Sequence, residues 1–106
     1  MAPAESGELE DVSEILKAIA HPMRRELLAW LKDPDAHFEP GHAIEGLGVC
    51  AGQFERCGLS QSTVSAHLAT LQRAGLVTAT RRGQWIYYQR NEDTISRFLK
   101  SLGHAL

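Results

Sequence analysis

One short stretch constrains the fold more than any other. Gly58-Leu59-Ser60 separates two helical segments, and a basic hairpin follows the second of them. Ser60 offers an N-cap hydroxyl to a helix running from about Gln61 to Ala74, in which Val64, Leu68 and Leu71 recur on one side and Gly75 supplies the stop. After it, residues 76–81 and 84–89 read as two strands around Arg82-Gly83. Val77, Trp85, Ile86, Tyr87 and Tyr88 favour strand, and a glycine in a short basic tip signals a hairpin.

The rest of the chain supplies helices to pack against this unit. Leu9, Val12, Ile15, Leu16 and Ile19 recur at helical spacing over residues 8–20, with Glu8, Glu10, Asp11 and Glu14 suiting the helix dipole. Pro22 starts a second helix with His21 as its cap, carrying Met23, Leu27, Leu28, Trp30 and Leu31 to about Lys32. Residues 33–48 lose periodicity among prolines and glycines and read as a long loop with one helical turn near 43–47. Cys50, Phe54 and Cys57 fall at i, i+4 and i+7, which places both thiols on the core-facing side of a short helix ended by Gly58. Asn91 caps a last helix with Ile95, Phe98, Leu99, Leu102 and Leu106 at helical spacing. At 106 residues there is room for one core, so the expectation is a single domain over 8–106 behind a flexible tail at 1–7. The fold class is mostly α with a small β-hairpin wing, the layout of a winged helix-turn-helix.

In that layout the second helix enters the major groove of DNA and the ribbon tip reaches the neighbouring backbone or minor groove. With Val64, Leu68 and Leu71 inward at roughly 100° per residue, Ser62, Ala66, Ala69 and Arg73 face outward, flanked by Thr63, Ser65 and Thr70. A solvated helix face normally carries long charged side chains, whereas this one has Gln61, then hydroxyls and alanines until Arg73. Small residues permit close approach, hydroxyls and amides can bond base edges or phosphates, and alanine can meet a thymine methyl. Arg81 and Arg82 on the hairpin are placed to reach phosphate. The formal net charge of −2 argues against a nucleic-acid partner only in total: residues 1–55 sum to −7 and residues 56–106 to +5. A basic working surface carried by an acidic body is the reading this split supports.

The same residues carry a family resemblance. Residues 18–28 (Ala-Ile-Ala-His-Pro-Met-Arg-Arg-Glu-Leu-Leu), then 59–68 (Leu-Ser-Gln-Ser-Thr-Val-Ser-Ala-His-Leu) and 71–77 (Leu-Gln-Arg-Ala-Gly-Leu-Val), resemble the ArsR/SmtB family of bacterial repressors, colinearly from about Leu9 to Leu102. The wing, Arg81-Arg82-Gly83-Gln84 running into Ile86-Tyr87-Tyr88, fits the same pattern. The resemblance implies a homodimer through the first and last helices, double-stranded DNA with inverted half-sites as partner, and repression relieved by a chemical signal. By position Gln61, Ser62, Thr63, Ser65 and Ala66 match the DNA-reading helix and Arg81, Arg82 and Gln84 the wing, with Thr70 and Arg73 beside them. Leu9, Val12, Leu16, Ile95, Phe98, Leu99 and Leu102 are the candidate dimer residues. A two-fold pairing also follows from the residues themselves, because both terminal helices show more apolar face than one small core covers.

Metal sensing is not expected. Cys50 lacks a second cysteine two positions away, and Asp93 and His104 lie far apart on the last helix. Cys50 and Cys57 leave two readings open, small core residues or a thiol sensor. His37, His42, Asp35 and Glu39 belong to an acidic loop, and His67 to the edge of the buried stripe. No Gly-rich phosphate loop, HExxH motif or nucleophile elbow is present, so neither an enzyme nor a cofactor is expected. No apolar run reaches the roughly 18 to 20 residues of a membrane span, and residues 1–7 have neither a basic nor an apolar signal region, which points to the cytoplasm. Two rivals remain: a winged-helix module whose outward helix packs on a protein, and a thiol-based redox or metal-buffer protein.

Overall fold

The computed structural model describes residues 12–38, 43–44 and 46–106. In chain order these form α1 (Ser13–Ile19), α2 (Pro22–Lys32), the single turn α3 (Pro34–His37), β1 (Ala43–Ile44), β2 (Gly48–Cys50), a 3₁₀ helix (Ala51–Cys57), α4 (Gln61–Arg73), β3 (Val77–Arg82), β4 (Trp85–Arg90) and α5 (Glu92–Ala105). The strands make one antiparallel sheet in the order β1-β2-β4-β3. Leu27, Leu68, Leu71, Val49 and Phe54 are fully enclosed between the helices and the sheet. The winged helix-turn-helix expected from the element order is the fold observed.

Three caps set the helix starts, each where the sequence places it. The Ser60 Oγ accepts from Thr63 N at 3.2 Å, the His21 Nδ1 from Met23 N at 3.0 Å and the Asn91 Oδ1 from Thr94 N at 3.2 Å. The C-terminal carbonyls of α1 are met by arginines from α2: Arg24 Nη1 donates to Ala18 O at 3.3 Å and Arg25 Nη1 to Ile19 O at 2.6 Å. The Arg-Arg pair after Pro22 thereby fixes the corner between the first two helices.

Several expectations need correction. The helical turn lies at Pro34–His37, where Pro34 occupies the first position of the turn, and Ala43–Ile44 pair antiparallel with Gly48–Val49 instead of forming a helical turn. β2 then pairs with β4 through Val49↔Tyr88 and Cys50↔Tyr87, so the wing is part of a four-stranded sheet and not an isolated ribbon. Gly48 makes that pairing possible. Its φ is +101°, and a Cβ there would strike the Tyr88 carbonyl and lie 2.8 Å from the Gln89 Cβ.

Cys50 ends a strand, so Cys50, Phe54 and Cys57 do not share a helix face. Alternation along β2 buries Val49 and turns Cys50 to the other side of the sheet, half-buried beside Tyr87. Phe54 enters the core, in edge contact with Phe38 at 5.2 Å between ring centroids. The side chain of Cys57 lies outside the described residues. The wing strands begin one residue later than expected, and the two-residue turn is Gly83-Gln84, with Gly83 at φ +64° as a type II′ hairpin requires. The first helix is described from Ser13; the expected start at residue 8, Leu9 and the tail at 1–7 lie outside the described residues.

Candidate nucleic-acid interface

Helix α4 is amphipathic in the expected sense. Val64, Leu68 and Leu71 are buried, while Gln61, Ser62, Thr63, Ser65, Ala66 and Arg73 are exposed on the opposite side. No acidic residue interrupts that face. The hydroxyls near its start form a local set: Ser60 Oγ donates to Thr63 Oγ1 at 2.9 Å and lies 3.2 Å from Ser62 Oγ. With Ser60 occupied by the cap, Gln61, Ser62 and Ser65 carry the polar groups best placed to meet a partner.

Thr70 departs from the sequence reading. It is half-buried, and its hydroxyl donates to Ala66 O at 3.2 Å while accepting from Arg73 Nη2 at 3.2 Å. Its polar atom is thus committed within the helix, where it orients the Arg73 guanidinium. Arg73 in turn lies in the last turn, where a cation suits the helix dipole.

The wing extends beyond the core. Arg81 pairs with Ile86 and Arg82 with Trp85 across the ribbon, and all four are exposed. Arg81 Nε folds over the turn to donate to Gly83 O at 3.1 Å, which holds its guanidinium at the tip beside Gln84. Trp85, 54% exposed, shares a ribbon face with Arg82. The sequence places Trp85 close to the hairpin tip; what it does not give is the exposure of the ring.

A histidine cluster joins the recognition helix to the frame. His67 Nδ1 on α4 accepts from Arg24 Nε at 3.2 Å, and its ring lies 4.5 Å from that of His21. Burial, then the neighbouring His21 and Arg24, lower the His67 pKa below its usual 6.5. A proton on Nδ1 would face the Arg24 donor and break the link. Because the unfolded chain binds that proton more readily, the stabilisation is complete above about pH 6.5 and is lost as pH falls through the lower folded-state value. The thermal midpoint should therefore drop as pH falls below 6.5 in the parent and drop less in His67→Gln, whose amide oxygen can still accept from Arg24; parallel pH profiles for the two proteins would contradict this.

Of the proposed pairing residues, Leu16 is 41% and Leu99 60% exposed, whereas Val12, Ile95 and Leu102 are half-buried against the core. Phe98, 4% exposed, belongs to the chain's own core, so it is not a surface residue of α5. Among the described residues no cluster of three metal-ligating side chains occurs, and no helix is long and apolar enough to cross a membrane.

A recognition helix capped by a serine, with a basic two-stranded wing behind it, defines a winged-helix DNA-binding protein. Residues 54–79, from the 3₁₀ helix through α4 into β3, match the model of the arsR family of bacterial regulatory proteins. The HTH-type transcriptional regulator YbzH of Bacillus subtilis, itself described as uncharacterized, is 42% identical over 94 residues, covering 83% of this chain and 94% of that protein. The transcriptional repressor SdpR of the same organism is 32% identical, over 79% of this chain and 80% of its own. Among solved structures the transcriptional regulator HlyU of Vibrio vulnificus superposes with a TM-score of 0.55 at 33% identity, over 86% of this chain and 85% of that one. The chain belongs to the ArsR family of DNA-binding transcriptional regulators.

Proposed function

We infer that this protein is a cytoplasmic, homodimeric repressor that binds an inverted-repeat operator and leaves it in response to a chemical signal. The observation that carries the DNA contact is the exposed, acid-free face of α4 from Gln61 to Ala66, flanked by Arg73 on the helix and Arg81 and Arg82 on the wing. Gln61, Ser62, Ser65 and Ala66 read base edges, Thr63 supports the cap, and the three arginines bind mainly phosphate. Gln84 and the exposed Trp85 meet the backbone beside the wing arginines. Repression, as opposed to activation, is supported by the relative SdpR, a repressor by name. No catalytic group or cofactor takes part.

Pairing is supported by Leu16 and Leu99, exposed apolar residues on the two terminal helices. A two-fold axis between them would set two copies of α4 into successive major grooves, roughly 34 Å apart. Sedimentation equilibrium should return the mass of two chains; a one-chain mass at micromolar concentration would remove this part of the reading.

Fluorescence anisotropy with the DNA upstream of the protein's own gene tests the DNA contact. Replacing Arg81 and Arg82 by alanine should weaken binding to all duplexes and flatten the slope of log affinity against log salt by about 2, one unit for each phosphate no longer neutralised. An unchanged slope would refute the role of these arginines.

A further inference from the structure

His67 stands one position after Ala66, half-buried between the enclosed stripe of Val64, Leu68 and Leu71 and the exposed side of α4. Its Nδ1 accepts from Arg24 Nε across 43 positions of sequence. The same guanidinium donates through Nη1 to Ala18 O at the end of α1, so one side chain rooted in α2 holds both α1 and α4. That root is itself fixed. His21 caps α2 through Met23 N, and Arg24 N donates to His21 O at 3.1 Å. Apolar burial draws α4 onto the core, but hydrophobic contact is non-directional and leaves rotation about the helix axis loosely set. A hydrogen bond is directional, and the one from Arg24 meets α4 at the edge of its exposed face.

Side chains that recognise a ligand have to be held within roughly 0.5 Å and 10–20° of their productive geometry. We propose that Arg24 is a positioning residue for DNA recognition, setting through His67 the orientation in which α4 presents Gln61, Ser62, Ser65 and Ala66 to base edges. The role rests on the reading of α4 as the DNA-contacting helix, and it adds a condition under which recognition fails. Nδ1 accepts only while it carries no proton. Among the described residues, the charged or titratable groups acting on His67 are Arg24 on α2 and His21 at the cap of that helix; α1 presents its Ala18 carbonyl to Arg24. Burial and these two neighbours lower the His67 pKa, so acid opens the link only below pH 6.5. The expected sign is the reverse of simple electrostatics. One more cation near a duplex raises affinity for any sequence, whereas a released α4 loses the difference between right and wrong sequences.

Anisotropy with two duplexes, one selected by the parent from a random pool and one scrambled to the same composition, tests the role through the ratio of the two affinities. At neutral pH Arg24→Ala should lower that ratio about tenfold, the fold-change expected for loss of a hydrogen bond to a charged group. His67→Asn should keep it, because the amide oxygen takes the place of Nδ1 and still accepts from Arg24. As pH falls below 6.5 the parent's ratio should fall while its affinity for the scrambled duplex holds or rises; the ratio should stay level in His67→Asn and stay low throughout in Arg24→Ala. Circular dichroism at each pH restricts the comparison to folded protein, and if Arg24→Ala does not fold, the parent and His67→Asn carry the test between them. A parent ratio indifferent to pH, an equal acid fall in His67→Asn, or an unchanged ratio in folded Arg24→Ala would overturn the positioning role and leave the DNA reading standing. If the parent selects no sequence at all, the DNA reading falls and the positioning role with it.

Discussion

Ala66→Glu should lower affinity for the upstream DNA by roughly 100-fold or more at physiological salt, about 2.7 kcal/mol, and leave the fold intact. Ala66 is exposed in the middle of α4, and glutamate is a good helix former, so the helix loses only a few tenths of a kcal/mol. The change acts on the contact with DNA. It replaces a methyl that permits close approach by a longer side chain, and it sets a carboxylate among phosphates on a face that holds no acid. Disrupted base readout alone costs roughly 1–3 kcal/mol, and the repulsion adds to it. Ala36→Glu, the same exchange at an exposed residue of α3, should change affinity by less than about threefold at that salt, because a single distant charge is screened beyond roughly 8 Å. Similar losses in both variants would show that net charge, and not the face of α4, governs binding.

Leu99→Asp should convert the protein to a monomer and weaken operator binding by roughly 100-fold or more, the advantage that linking two half-site contacts confers. Leu99 is 60% exposed, so an aspartate costs the single chain little, whereas facing its own copy across a two-fold axis it would place two carboxylates in an apolar contact. Thermal stability should then lose its dependence on protein concentration. A variant that stays dimeric and binds like the parent would move the pairing surface away from α5.

Features governed by local chemistry were legible from residue order. The caps at His21, Ser60 and Asn91 need one polar side chain at one place, and all three form. The buried stripe of α4 needs only a regular period, and Val64, Leu68 and Leu71 are enclosed as that period requires. Long-range pairing was not legible. β1 and β2 are two and three residues long, too short for alternation to register, and β2 is held by Tyr87 and Tyr88 nearly forty positions on. Only the glycines at 46 and 48 hint at the bend, and the meaning of Gly48 depends on the Tyr88 backbone it approaches. The helical spacing of Cys50 and Phe54 was a coincidence, because a strand end followed by a 3₁₀ turn leaves Cys50 half-buried beside Tyr87 while Phe54 enters the core.

The same limit applies to the candidate site. The outward residues of α4 could be named from its period, whereas Thr70 looked free until its bonds to Ala66 and Arg73 were seen. Amphipathic spacing on α5 marks an apolar face but not which partner covers it; Phe98 turns to the chain's own core and Leu99 to the surface. From the basic half of the chain, Arg73, Arg81 and Arg82 are exposed on α4 and the wing, the elements that would face DNA. A mildly acidic protein with such a face should bind in one orientation and lose nonspecific affinity steeply as salt rises.

Base reading by the exposed face of α4 should show in sequence preference. Selection from a pool of random duplexes, run in parallel with the parent and with Gln61→Ala combined with Ser62→Ala, measures it. The parent should enrich inverted half-sites whose centres lie about one helical turn apart, and the variant should keep that spacing while its base preference changes within each half-site. An identical preference in both proteins, or no enriched sequence from the parent at any salt, would contradict base reading by α4 and favour a protein partner for this face.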